Sequence, residues 1–163
     1  MRRRVLNILD ALAVALRHWL SGVLIAMFCV GMITWFGLWM LGIPLALSIG
    51  FLAGLTEFVP YLGPIASAIP AILVAFTHGA TTVVEVIGLY LLVHAIEAYI
   101  LVPIIQRRAV ALPPALGLTA VLVFGMLFGI PGVIFAHPLM VSAMVLVEKT
   151  VAFRGPAKSL IRR

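Results

Sequence analysis

The chain has 163 residues, of which 64% are hydrophobic and only 10% charged, and its mean hydropathy is +1.27. A soluble domain is nearer half apolar and a quarter charged, so this composition excludes an ordinary water-soluble fold and makes lipid part of the solvent. The formal net charge of +6 does not point to nucleic acid, because the basic residues flank the apolar runs instead of forming a stripe interleaved with aromatics.

Residues 1–19 read as a cytoplasmic amphipathic helix. Val5, Ile8, Leu9, Leu12, Leu16, Trp19 and Leu20 recur at helical spacing, with Asn7, Asp10 and Arg17 off that stripe. Asp10, Arg17 and His18 also interrupt what would be the apolar core of a cleaved signal peptide. Residues 20–41 form the first span; Gly22 to Leu41 carries no charge, and Trp35 and Trp39 fit an interfacial belt. Cys29 lies alone in this run and is expected as a small buried hydrophobe.

Residues 43–77 are apolar but broken. As one straight helix they would reach about 52 Å, against a hydrocarbon core of about 30 Å. Phe58-Val59-Pro60-Tyr61-Leu62-Gly63-Pro64 marks the break, and arms of about 22 Å on either side suit a re-entrant helical hairpin. Residues 81–103 form a second full span carrying Glu85, His94 and Glu97, followed by Arg107 and Arg108. Residues 113–150 repeat the broken pattern, with Pro113-Pro114 opening a helix and Gly125, Gly129, Pro131 and Gly132 interrupting it. Residues 151–163 are a basic cytoplasmic tail.

The charge flanks set a topology. With the N-terminus, the Arg107-Arg108 pair and the tail all cytoplasmic, 43–77 must begin and end outside and 113–150 must begin and end inside. The expected fold is therefore all-α: a polytopic helical membrane protein with two Pro/Gly-broken hairpins of re-entrant length in an inverted repeat. Such breaks at matching places point to the binding site of a secondary transporter.

Several residues could carry chemistry. A carboxylate within a span costs about 2.5–3.5 kcal/mol on insertion scales, so Glu97 should face a cavity or a partner. His94 and Tyr90 precede it on the same helical face, a line able to relay protons or to lock helices together. Glu57 directly precedes the break, where freed backbone groups and a helix C-terminus call for something positive. Pro60, Gly63 and Pro64 are expected to shape the backbone, and Tyr61 to pack the tip or wall a pathway. Glu85 and His78 are read as solvated, and His137 as a polar contact within the bundle. No spacing of His with carboxylates suggests a metal, and no cofactor is expected. Only Asp10 is present for an aspartyl mechanism and no Ser–His pair has helical spacing, so an enzyme is not expected.

The run Leu55-Thr56-Glu57-Phe58-Val59-Pro60-Tyr61-Leu62-Gly63-Pro64 resembles the hallmark of the autoinducer-2 exporter family of permeases. So do Leu41-Gly42-Ile43-Pro44, Ile96-Glu97, Pro103, Val110-Ala111-Leu112 with Pro114, Leu127-Phe128-Gly129-Ile130-Pro131-Gly132, and Pro138-Leu139. The resemblance covers roughly 40–148 and departs from the family at Tyr99, Arg107 and Pro113. It implies export or exchange of a small solute, autoinducer-2-like, coupled to H+ or Na+ in a bacterial inner membrane. Glu57, Pro60, Tyr61, Gly63, Pro64, His94 and Glu97 would line the pathway, and the protein would be a homo-oligomer. The family's members are longer, so the chain resembles their C-terminal half. A non-transporting scaffold, a channel-like subunit or a non-functional fragment of a larger permease is the alternative.

Overall fold

The computed structural model describes residues 2–59, 62–106 and 114–151, and among these every regular element is helical. Pro60, Tyr61, Arg107, Arg108, Pro113 and the tail beyond Val151 lie outside the described residues.

Helix α1 runs without interruption over Arg2–Met40, about 58 Å at 1.5 Å per residue. Residues 1–19 and 20–41 thus share one helix, because no proline falls between them to break it. Its end is a Schellman cap. Gly42 takes φ +70°, its N–H donates to Trp39 O at 3.0 Å, and Ile43 N–H donates to Leu38 O at 3.0 Å. Leu38 and Ile43 are both buried in one apolar cluster, the hydrophobic contact that accompanies this cap. Pro44 then prevents continuation, and Leu45, at φ 60°, turns the chain into α2.

Helix α2 (Ala46–Thr56) and helix α3 (Leu62–Phe76) form a hairpin. Thr77 and His78 cap α3 through bonds to Val74 O and Ala75 O. Gly79, at φ +109°, starts helix α4 (Ala80–Ile96), which packs back along α3. The helix does not stop at Pro103. A π-helical turn occupies Glu97–Leu101, with Val102 N–H donating to Glu97 O, and helix α5 (Val102–Gln106) follows. The wide turn has a local cause: the Pro103 ring would collide with the carbonyl four residues back in a regular α-helix.

The chain divides into two compact units, Trp19–Ala111 and Met1–His18 with Leu112–Arg163. In the first, the largest core cluster joins the end of α1, the start of α2, the end of α3 and the start of α4. It comprises Leu38, Ile43, Ala46, Ile49, Ala71, Ala75, Val83 and Val86. At the opposite end of this bundle, Trp19 sets its ring edge-on to Phe58 with centroids 5.9 Å apart. In the second unit, helix α6 (Pro114–Phe128) and helix α7 (Ile130–Val151) form another hairpin. It turns at Gly129, at φ +66°. Gly125 lies inside α6, and Pro131 and Gly132 open α7, so one residue carries the break where the sequence suggests four. Pro131 is tolerated because a first-turn N–H has no helical acceptor. The arms of the two hairpins differ in length: 11 and 15 residues against 15 and 22.

Three stretches are long and apolar enough to cross a membrane: Leu6–Met40, Ala80–Ile104 and Ile130–Val147. Large apolar side chains such as Phe28, Met40, Phe51, Leu91 and Met126 stand exposed. Water would not tolerate that much exposed apolar surface, whereas lipid does.

Candidate functional site

The hairpin tip is built by main-chain groups around a threonine and a glycine. Glu57 closes α2, its N–H donating to Ala53 O at 3.1 Å. Phe58 and Val59 N–H then donate to Leu55 O and Thr56 O, tightening the chain into a turn. Gly63 N–H returns to Val59 O at 2.9 Å, and a Cβ on Gly63 would strike the Thr56 carbonyl. Only glycine lets the two arms meet this closely. Thr56 Oγ1 lies 2.9 Å from Leu52 O and 3.1 Å from Gly63 O, so its one proton can serve either arm. Pro64 sits in the first turn of α3, and its carbonyl accepts from Ser67 Oγ at 3.2 Å.

This geometry delivers Glu57 into the protein. Its side chain is 3% exposed, and its Oε2 has no hydrogen-bond partner. Glu97, the first residue of the π-helical turn, lies close enough for the two carboxyls to influence one another. Glu97 is itself 9% exposed. His94 Nδ1 is 3.4 Å from Glu97 Oε2, and the His94 side chain is 54% exposed. An accessible imidazole therefore touches one buried carboxyl, and a second lies close by. By helix length, Glu97 sits roughly 25 Å from the Ala80 end of its span and roughly 10 Å from the Ile104 end. The tip thus reaches beyond the middle of α4.

Tyr90 does not continue this line. Its hydroxyl donates to Ser67 O at 2.9 Å and ties α4 to α3. Glu85 and His78 lie toward the other end of α4; His78 is exposed, with Nδ1 2.9 Å from Thr77 Oγ1. His137 is buried in α7, in the second unit, where its Nε2 would stand 3.1 Å from a Cβ on Gly117. Among the described residues no cluster of His, Cys, Asp and Glu could hold a metal ion. Of the sequence-derived set, Glu57, Gly63, Pro64, His94 and Glu97 converge on one end of the bundle. Thr56, Ser67 and the π-helical turn support them without standing out in the sequence, although Pro103 signals a disturbed helix.

A helical bundle with a Gly/Pro hairpin that buries a carboxyl at its tip, with exposed apolar faces and three stretches long and apolar enough to span a bilayer, defines a polytopic helical membrane protein. The chain matches the family model "AI-2E family transporter" over residues 1–152, and it belongs to that family. YrrI of Bacillus subtilis (strain 168) is 33% identical over 76% of this chain and 35% of its own length. A Thermotoga maritima protein is 39% identical over 73% of this chain and 37% of its own. Both are named provisionally as transport proteins. PerM of Escherichia coli (strain K12), named provisionally as a permease, is 34% identical over 75% of this chain and 35% of its own. The chain spans little more than a third of the length of these relatives. No solved structure matches it.

Proposed function

We propose that this chain forms the hairpin-bearing part of a secondary transporter that exports or exchanges a small solute, coupled to H+ or Na+ through Glu57 and Glu97. The observation that carries this reading is the Glu57 carboxyl, buried with one oxygen unpartnered at the tip of a broken-helix hairpin. A carboxyl held in a membrane protein's interior is costly, and ion pathways are where that cost recurs. Helix breaks leave main-chain groups available to ions and solutes, and the hairpin 43–77 supplies such a break. In this reading the hairpin is re-entrant and enters from the outer face of a bacterial inner membrane, with both chain ends cytoplasmic. The solute pathway runs past Gly63, Pro64 and the neighbouring Pro60 and Tyr61. Membership of a transporter family and the relatives' names support the general role.

The test is flux. Purified protein in liposomes should move a small solute in response to an imposed H+ or Na+ gradient, and Glu57→Gln and Glu97→Gln should each uncouple that movement. Undiminished gradient-driven flux in both variants would remove the coupling role.

A further inference from the structure

We infer that the bundle holds one small monovalent cation between Thr34 of α1, Ser67 of α3 and Glu57 at the end of α2. The inference rests on the proposed transport role and deepens it, naming the kind of ion and the oxygens that ligate it.

The register of the helices builds the place. Leu38, Ile49, Ala71 and Val86, one from each of α1, α2, α3 and α4, lie in a single apolar cluster. One helical turn nearer the tip, the same four faces present Thr34, Ala53, Ser67 and Tyr90. Thr34 is 0% exposed and Ala53 and Ser67 1% each, and the Tyr90 hydroxyl bonds to Ser67 O at 2.9 Å. This second layer is therefore closed as well. Gly31 packs on α2, and Gly37 on the Leu89 side chain of α4. Thr34 is three residues from each, so it points between those two helices into the bundle. A further turn toward the tip brings Glu57, buried at the end of α2. Helical side chains lean toward the N-terminus of their own helix. Helices α1 and α2 run antiparallel, with Gly50 against Trp35 and Gly54 against Gly31. Thr34 thus leans toward the tip, and Glu57 leans back toward the hydroxyl layer, about 6 Å away by the rise of four residues.

What these side chains offer is lone pairs. Ser67 Oγ donates its proton to Pro64 O at 3.2 Å, which leaves the oxygen's lone pairs for the interior. Glu57 Oε2 is buried with no partner. So is Thr34 Oγ1, although a helical threonine readily bonds a carbonyl three or four residues back, as Thr56 does with Leu52 O and Ala53 O. Two bare oxygens in an apolar interior cost stability unless a guest meets them, and a carboxylate with hydroxyl oxygens selects a cation. The closed layer admits no organic cation, and one carboxylate balances one positive charge. The protein supplies no cation of its own here. Residues 19–56 and 62–76 contain no Lys, Arg or His. Arg17 and His18 precede Trp19, whose ring meets Phe58. Both are exposed, and His18 Nδ1 lies 2.9 Å from Val14 O. Along α1 they stand roughly 24–26 Å from Thr34. His94, on α4, is half-exposed and set against Glu97.

Thermal unfolding of the purified protein in detergent tests this without reference to flux. Sodium, potassium and ammonium chlorides each replace choline chloride at fixed pH and ionic strength. At least one of the three should raise the melting temperature saturably, and choline should not. Glu57→Gln should abolish the saturable rise. Thr34→Val and Ser67→Ala should each raise its half-saturating concentration about tenfold, the effect of losing one polar ligand. Thr34→Ser keeps the oxygen and should keep the wild-type midpoint. Thr34→Val also carries a sign that poor folding does not imitate. In choline it should melt no lower than wild type, because it removes a bare buried hydroxyl, and in saturating cation it should melt lower. No saturable rise in wild type, an equal rise in Glu57→Gln, or a Thr34→Val protein that melts lower in choline as well, the mark of a bridging water, would overturn the inference. A saturable rise without flux leaves the cation site standing and removes the transport reading; proton-driven flux without any rise does the reverse.

Discussion

Gly54 on α2 lies against Gly31 on α1 so closely that a Cβ on Gly54 would stand 3.1 Å from Gly31 Cα and 2.5 Å from Met27 O. Four residues earlier, Gly50 meets the backbone of Trp35 in the same way. Gly50-xxx-Gly54 is thus a small-residue seam that brings two main chains together, which is how helices pack where lipid offers no hydrophobic drive.

Gly54→Val should therefore destabilise the protein by about 1–3 kcal/mol, since the obstructing atoms belong to backbone and cannot rotate away. Gly88→Ala is the control. Nothing lies within 4 Å of a Cβ there, and replacing a mid-helix glycine should gain about 0.5–1 kcal/mol. Thermal unfolding in one detergent compares the two. Equal effects at both positions would mean that the α1–α2 seam is not tight.

Tyr90→Phe removes the bond to the Ser67 carbonyl and leaves that group without its donor. The loss should be about 0.6 kcal/mol, the average of such bonds between membrane helices. Because Tyr90 bonds to α3 and not to His94, gradient-driven flux in liposomes should be unchanged. Flux lost in a folded Tyr90→Phe protein would restore the tyrosine to the coupling path.

Much of this architecture was legible from the residues. Apolar runs, basic flanks and the prolines announce helices in lipid, and the Phe58–Pro64 run announces the turn with Glu57 at its edge. Glu57 and Glu97 each stand out because a carboxyl in an apolar run is expensive. Their nearness does not, because it depends on how far the tip descends along α4, and that is set by the Gly31–Gly54 seam and the Tyr90–Ser67 tie. Helical spacing puts Tyr90 on the face of His94 and Glu97, yet a neighbouring carbonyl on α3 captures its hydroxyl. The π-helical turn is equally hidden: Pro103 warns of a break, but a proline alone does not decide whether the helix ends or widens to pass it.

Pro103 offers a way to move the widened turn without touching either carboxyl. With Val102 N–H bonded to Glu97 O, the next acceptor in the shifted ladder is the Ala98 carbonyl, and its donor would be residue 103, which as proline has none. Pro103→Ala supplies that N–H and removes the ring, so a regular α-helix can close through Glu97–Leu101. Absorbing the extra residue would rotate the segment beyond it by about 100°, one residue's share of a 3.6-residue turn. The variant should gain stability, up to about 3 kcal/mol, as proline leaves a helix interior, and amide hydrogen exchange over 99–106 should slow. Glu97 belongs to the last turn held by α4, so its contact with His94 should survive and gradient-driven flux should persist. Faster exchange over 99–106, or flux that collapses with the substitution, would show that the widened turn itself sets the position of Glu97.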